Sequence, residues 1–212
     1  MRKATPTKAD NAAVPTPRGR RTLVLVTLLF LLPVVAATTL YYSGWKPEGN
    51  SLQHGELLQP ARPVGDAELV RADGAPYRLS TLRGKWAYIY FTTLPCTEVC
   101  RSNLYKMQQV RLAQGRDVTR VERVIIVAET SAALLSELAS QNPGLIALNA
   151  TRTMHQSLAR EFVSSQGTAL DVPGRVYLMD PIGNLVMSYA PDADPSGMRK
   201  DLVRLLRLSQ VG

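Results

Sequence analysis

Residues 75–208 consist of segments in which the spacing of hydrophobic residues is typical of strands, and these alternate with segments in which it is typical of helices. Strands are predicted at residues 77–79, 86–91, 124–128, 145–148, 175–180 and 185–189. Helices are predicted at residues 97–113, 131–141, 152–163 and 196–208. The strands at 86–91 and 124–128 are mainly apolar, which is typical of strands buried on both faces of a parallel sheet.

This order of elements predicts the fold class. Successive strand–helix units imply a parallel core, and the last two strands form a hairpin around a Pro-Ile-Gly-Asn turn, which adds antiparallel edge strands. We therefore predict an α/β protein with a thioredoxin-like fold over residues 75–208, in which a central mixed sheet is flanked by helices.

An uncharged segment precedes this domain. Residues 22–42 carry no charge and, as a helix, would span roughly 30 Å, the thickness of a bilayer core. Arginines stand directly before the segment and aromatic residues at its far end, so residues 1–21 are predicted to be a cytoplasmic basic tail. The prediction is a single-pass inner-membrane protein with a periplasmic C-terminal domain; the alternative is a signal peptide cleaved near residues 35–37.

The segment between the predicted membrane helix and the domain has no periodic pattern. Prolines and glycines are frequent in it, so residues 43–74 are interpreted as an extended linker. His54 lies in this linker and, as a lone histidine, is not expected to be a metal ligand.

Charge and composition narrow the classes of function. Six of the 25 Lys and Arg residues lie in the tail, so much of the formal net charge of +8 belongs there, and nucleic acid is not an expected partner. Two cysteines and two distant histidines do not suffice for a disulfide scaffold or a four-cysteine zinc site, and they argue against a zinc hydrolase with closely spaced histidines.

The two cysteines are the candidate chemical groups. Cys96 and Cys100 follow the predicted central strand at the start of the next helix, where the helix N-terminus favours a thiolate. Four residues apart on a helix, they lie at a Cα separation that a disulfide can span. Three interpretations remain open: a redox-active dithiol, a soft-metal site for Cu(I), and an inert structural disulfide.

These residues resemble a known family. Gly84-Lys85 before the aromatic strand, followed by Cys96-Thr-Glu-Val-Cys100, is similar to the Sco/SenC proteins, which assist assembly of the copper centres of cytochrome c oxidase. The later segment Tyr-Leu-Met-Asp-Pro-Ile-Gly at 177–183 adds to the likeness. His-Gly-Glu-Leu-Leu at 54–58 resembles the same region of membrane-anchored relatives of these proteins.

The resemblance implies a thioredoxin fold with Cys96 and Cys100 as a redox pair or as Cu(I) ligands. The family's third copper ligand is a histidine, and Val172 stands at its position here, so the chain is expected to be a divergent member. His155 is expected in the core or on the surface rather than at the metal. Pro173 is either a cis proline beside the cysteines, as in thioredoxin-like proteins, or an ordinary loop proline.

Three functions follow from the resemblance. The first is a membrane-anchored thiol–disulfide oxidoreductase that assists oxidase copper-centre assembly, with an oxidase subunit or a copper chaperone as its protein partner. The second is a Cu(I)-carrying metallochaperone, for which copper is the cargo. The third is a redox-inactive docking module of the assembly machinery, which would function without its cysteines.

Overall fold

The computed structural model of the chain describes residues 17–43 and 53–209. The chain divides into two compact units, Met1–Gly49 and Asn50–Gly212. The first unit contains one helix, α1 (Pro17–Tyr42). Within α1, the segment Gly19–Leu40 is long and apolar enough to cross a membrane, although a signal sequence would pass the same test. This agrees with the helix expected at residues 22–42; most of the expected tail lies outside the described residues.

The second unit is built on a mixed sheet. Its strands are β1 (Glu56–Pro63), β2 (Glu68–Arg71), β3 (Pro76–Arg78), β4 (Trp86–Thr92), β5 (Val121–Ala128), β6 (Leu145–Ala150), β7 (Val163–Ser164), β8 (Gly167–Thr168), β9 (Val176–Met179) and β10 (Asn184–Tyr189). Eight of them form one sheet in the order β1-β10-β9-β4-β5-β6-β2-β3, and β7 and β8 pair separately. Because β4, β5 and β6 run parallel and their outer neighbours antiparallel, the predicted mixed thioredoxin-like sheet is confirmed.

Four helices complete the unit. They are α2 (Glu98–Leu112), α3 (Ala132–Gln141), α4 (Arg152–Ala159) and α5 (Pro195–Leu208). The side chains of α2, α3 and α5 pack on one face of the sheet, whereas those of α4 pack on the other. The helix expected at residues 152–163 is shorter than predicted, because the chain turns after Ala159 into the β7–β8 hairpin.

The central strand β4 faces two cores. Trp86, Tyr88 and Tyr90 point into the cluster that contains α2 and α5, whereas Ala87, Ile89 and Phe91 point into the cluster that contains α4. The alternation follows from the two-residue period of a strand, and because both faces are covered, nearly every side chain of β4 is apolar or aromatic.

The expectation of an extended linker over residues 43–74 is wrong for its second half. Strand β1 pairs with β10 at one edge of the sheet, and β2 pairs with both β3 and β6 near the other edge. The sequence pattern did not predict β1, because most residues of this strand are exposed and it therefore shows no alternation of apolar and polar positions.

A buried carboxylate fixes the start of this segment. Asp201 on α5 is only 2% exposed, and it accepts hydrogen bonds from the backbone amides of His54 and Gly55, each at 2.9 Å. The Nδ1 atom of His54 lies 3.2 Å from the same carboxylate. The hydroxyl of Tyr189 on β10 donates to it from 3.5 Å. Asp201 therefore joins the segment before β1 to α5 and to the sheet.

We predict that Asp201→Ala lowers the free energy of unfolding by about 3 kcal/mol, because several buried donors lose their acceptor together. The measurement is urea unfolding of the full chain in detergent micelles, followed by tryptophan fluorescence. Asp192→Ala removes an exposed acid and serves as the control, with an expected change below about 0.5 kcal/mol. A loss under roughly 1 kcal/mol for Asp201→Ala would show that the segment is held by other contacts.

Candidate functional site

Cys96 and Cys100 lie where the central strand passes into α2. Strand β4 ends at Thr92, and α2 begins at Glu98 with Thr97 as its N-cap. The two cysteines form a disulfide, with their Cα atoms 5.4 Å apart. The sequence-predicted pair is thus brought together, at the carboxyl edge of the parallel strands.

The first turn of α2 is held by polar contacts around the disulfide. The Thr97 hydroxyl accepts a hydrogen bond from the Cys100 amide at 3.3 Å, which caps the helix. Arg101 donates to the carbonyl of Cys96 at 3.0 Å and pairs with Glu98 at 2.6 Å. The N-terminus of α2 therefore lies beside Cys96 and favours negative charge there when the pair is reduced, whereas the guanidinium of Arg101 is already paired with the carboxylate of Glu98.

The two sulfur-bearing residues differ in exposure. Cys100 is completely buried among side chains of the α2 and α5 core, whereas Cys96 is half-buried. Cys96 borders an open cleft of about 460 Å³ between α2 and α3. Tyr105 and Leu134 line this cleft and are largely exposed. An attacking group can therefore approach Cys96 but not Cys100.

The loop at 172–174, where the resemblance to the Sco/SenC proteins expects a third copper ligand, lies against α2. A Cβ at Gly174 would come within 3.1 Å of a Val99 methyl group, so the loop at 172–174 contacts the Cys96–Cys100 turn directly. Asn103 on α2 is 1% exposed and donates to the Gly174 carbonyl at 2.8 Å, which holds the loop in place. Val172 offers no donor atom there. In the described part of the chain, no group of three His, Cys, Asp or Glu side chains is placed to hold a metal ion.

His155 is placed away from the cysteines, as expected. It is 7% exposed on α4, and its ring packs edge-on against Phe91, with centroids 5.5 Å apart. Phe91 belongs to the α4 face of the sheet and Cys100 to the opposite face, so the sheet separates the imidazole from the disulfide. Burial lowers the pKa of His155, and a hydrogen bond to the Ile126 backbone opposes this shift in part.

Pro173 is a loop proline. Among the described residues the cis peptide bonds are Gln59–Pro60 and Leu94–Pro95, so Val172–Pro173 is trans. The alternative of a cis proline at residue 173 is therefore wrong. The cis proline at residue 95 stands directly before Cys96 instead, on the strand side of the turn.

An ion pair between the buried Arg175 and the half-buried Glu56 was missed by sequence reasoning. Arg175, which is 5% exposed, directly follows the loop at 172–174, and its guanidinium donates to Glu56 at 2.8 Å and to Ser188 at 2.7 Å. The pair connects β1 to the start of β9. The only signal in the sequence was the resemblance of residues 54–58 to relatives of the Sco proteins, since no spacing rule links residues 56 and 175.

Comparison with known proteins agrees with this geometry. Residues 86–209 match the family described as "Transmembrane-like, thioredoxin-like, C-terminal domain". The chain belongs to this family. The matched residues run from the start of β4 to the end of α5, so they include the disulfide turn, the loop at 172–174 and His155.

Individual proteins are also similar to this chain. A protein of Stutzerimonas stutzeri named "Putative copper-binding protein" is 26% identical over 198 residues, which cover 91% of this chain and 92% of that protein. The crystal structure of yeast Sco1 with copper bound superimposes with a TM-score of 0.61 at 21% identity, over 72% of this chain and 96% of that one.

A third neighbour is BsSco, described as a member of the Sco family of cytochrome c oxidase assembly proteins with a disulfide switch. It superimposes with a TM-score of 0.53 at 16% identity, over 73% of this chain and 99% of that one. The resemblance to the Sco/SenC proteins and the thioredoxin-like fold are thereby confirmed.

The buried imidazole leads to a pH-dependence prediction. Because the pKa of His155 is lower in the folded than in the unfolded chain, the unfolded chain binds more protons below about pH 6.5. The unfolding free energy of the wild type should therefore fall as the pH drops from 7 to 5, by at most about 1.4 kcal/mol per pH unit from this residue.

The variant His155→Phe should lose that part of the pH dependence. The measurement is urea unfolding of both proteins between pH 5 and 7, and the readout is the slope, which a general loss of stability does not change. Equal slopes for the two proteins would contradict the prediction.

Proposed function

We propose that the protein is a membrane-anchored thiol–disulfide oxidoreductase that assists copper-centre assembly of cytochrome c oxidase, with Cys96 and Cys100 as its redox pair. The observation that carries the proposal is the disulfide at the N-terminus of α2, with Cys96 half-buried beside an open cleft and Cys100 completely buried. The Sco relatives support the process, because BsSco is described as an oxidase assembly protein.

The difference in exposure assigns a role to each cysteine. In the reduced protein, the Cys96 thiolate attacks one sulfur of a target disulfide, and the other target sulfur leaves as a thiolate. A mixed disulfide between Cys96 and the target results. The Cys100 thiolate, formed as its proton passes to solvent, then attacks the Cys96 sulfur and releases the target as a second thiolate.

This exchange transfers two electrons from the cysteine pair to the target disulfide. The target disulfide is reduced to two thiols, and the Cys96–Cys100 pair is oxidised to the disulfide. A further turnover needs a protein dithiol that reduces Cys96–Cys100 by the same exchange in reverse. The N-terminus of α2 stabilises the Cys96 thiolate in the reduced state.

The proposed cellular location follows from α1. Its arginine-flanked N-terminal end suggests a single-pass anchor in the inner membrane with the N-terminus in the cytoplasm and the thioredoxin-like unit in the periplasm. A copper-receiving oxidase subunit or a copper chaperone, with cysteines that must be reduced before metal enters, is the proposed partner.

A second candidate function is carriage of Cu(I). It is favoured by the copper-binding description of the Stutzerimonas stutzeri relative. Two thiolates four residues apart fit a linear Cu(I) site, since Cu(I) accepts two soft sulfur ligands. Cu(II) favours nitrogen ligands, and Val172 offers none at the loop that touches the cysteine turn.

The roles of Cys96 and Cys100 are tested by trapping the mixed disulfide. We predict that reduced Cys100→Ser reacts with oxidised glutathione to give a stable mixed disulfide at Cys96, at a rate at least about tenfold above that of Cys96→Ser, because Cys100 is buried. Intact-mass measurement over time on the full chain detects the adduct. The wild type should pass through the adduct to its internal disulfide, and the double serine variant should not react.

Equal rates for the two single variants would contradict the assignment of Cys96 as the attacking residue. No reaction in either variant would leave Cys96–Cys100 as a structural disulfide and would overturn the oxidoreductase proposal.

Copper carriage is tested by titration of the fully reduced chain with Cu(I) against a competing chelator. The expected result is one Cu(I) per chain, lost in the Cys96→Ser, Cys100→Ser variant, with no comparable Cu(II) binding. Val172→His should add Cu(II) binding, because residue 172 stands where the resemblance to the Sco/SenC proteins expects the histidine ligand. Cu(I) binding that persists in the double serine variant would contradict the two-thiolate site.

A further inference from the structure

The open cleft between α2 and α3 presents apolar surface beside Cys96. Its floor contains the buried side chains of Leu104 on α2 and Leu138 on α3. Tyr105 and Leu134 stand on its two walls and are 61% and 46% exposed. We call this surface, with Cys96 at its border, the α2–α3 cleft. Large apolar side chains exposed together in a concave surface are typical of a binding site.

The apolar walls and a carboxylate follow one another along the α2–α3 cleft. Helices α2 and α3 follow the neighbouring parallel strands β4 and β5, so both begin at the same edge of the sheet as Cys96. Leu134 lies in the first turn of α3, and Glu137 is three residues farther along the same face. The apolar side chain of α3 therefore lies nearer that edge than the carboxylate does.

The carboxylate of Glu137 is exposed and has no cationic partner in the described part of the chain. It accepts a hydrogen bond from the side-chain amide of Gln141 at 3.2 Å, and no ion pair includes it there. The guanidinium that lines the cleft, that of Arg101, is paired with Glu98 at 2.6 Å. A basic side chain of a ligand can therefore pair with Glu137.

We propose that the α2–α3 cleft binds the segment that flanks the disulfide of the target protein, and that it selects an aliphatic or aromatic side chain followed by a basic one. This inference rests on the proposed oxidoreductase function. In the mixed disulfide the target cysteine is bonded to Cys96, so the residues next to it lie over the adjoining surface. The loop at 172–174 packs against the face of α2 that carries Val99 and Asn103, whereas the cleft face is open.

An extended target segment fits the dimensions of the α2–α3 cleft. Alternate side chains of an extended chain point to the same side, so residues two and four positions from the target cysteine face the cleft together. Four extended residues span about 13 Å. The part of α2 that lines the cleft, from Arg101 to Gln108, rises about 10 Å. An apolar side chain two positions from the cysteine thus meets Tyr105 and Leu134, and a basic one four positions away reaches Glu137.

The test measures how fast the fully reduced chain, in detergent micelles, attacks peptides whose single cysteine carries thionitrobenzoate. The Cys96 thiolate bonds to the peptide sulfur, and thionitrobenzoate leaves as a coloured thiolate whose absorbance gives the rate constant. The reference peptide, Arg-Ala-Leu-Ala-Cys-Ala-Leu-Ala-Arg, presents the same side chains in both chain directions. Two further peptides replace both leucines by serine or both arginines by glutamate. Each rate constant is divided by that of the same peptide with 2-mercaptoethanol, which corrects for intrinsic reactivity.

We expect the corrected rate constant of the reference peptide to exceed that of each other peptide at least about threefold. The net charge of +8 would by itself favour the glutamate peptide, so a preference for arginine reports local charge. Glu137→Gln should remove the preference for arginine but not that for leucine, and Leu134→Ser should lower the preference for leucine. The matched control, Glu68→Gln, removes an exposed carboxylate on β2 and should change neither preference.

The possible failures are distinguishable. Release of thionitrobenzoate at equal corrected rates from all three peptides would overturn the binding role of the α2–α3 cleft and leave the oxidoreductase proposal standing. No release from any peptide would overturn the oxidoreductase proposal and this inference with it. A preference for arginine that persists in Glu137→Gln would overturn the assignment of that carboxylate. The comparison of peptides uses the natural chain, so it decides the matter even where a cleft variant does not fold.

Discussion

The burial of β4 on both of its faces is the constraint on which the rest of the structure depends. A strand covered on both sides must present an apolar or aromatic side chain at nearly every position, as Trp86 to Phe91 do. Strand β4 runs parallel to β5 and ends at Thr92. Cys96 and the N-terminus of α2 therefore fall at the carboxyl edge of the parallel strands, where backbone amides are free to stabilise a thiolate.

Two acids, the buried Asp201 and the half-buried Glu56, hold the segment before and within β1 to this frame. Asp201 holds the amides of His54 and Gly55, and Glu56 pairs with Arg175 beside the loop at 172–174. Residues 54–58, which resemble the same region of Sco relatives, thus attach the start of β1 to α5 and to the residue before β9. The same contacts turn the only acid of α5 inward and leave the outer face of that helix basic.

The cysteine turn combines an accessible cysteine with a neighbouring loop whose residues 172–174 carry no metal-ligating side chain. Cys96 is reachable and Cys100 is not, which suits ordered attack and resolution. The loop at 172–174 touches the cysteine turn and is held there by Asn103, yet it presents Val172 in place of a ligand. His155 does not compensate, because the sheet lies between it and the cysteines.

The sequence by itself determined the elements with a strong local pattern and the pair of cysteines. The buried strands at 86–91 and 124–128, the late hairpin and α2, α3 and α5 were predicted close to their observed bounds, because periodicity and capping are properties of neighbouring residues. The spacing of Cys96 and Cys100 likewise sufficed to predict that a disulfide can join them, although Cys96 precedes the N-cap of α2 and does not lie in its first turn.

Only the tertiary structure decided the contacts between residues far apart in the chain. Strand β1 is mostly exposed and owes its place to pairing with β10, so its sequence carries no alternation. The attachments of His54 to Asp201 and of Glu56 to Arg175 join residues more than a hundred positions apart, and local patterns do not encode such partners. The exposure of Cys96, the trans bond before Pro173 and the basic face of α5 were decided in the same way, by what packs against each residue.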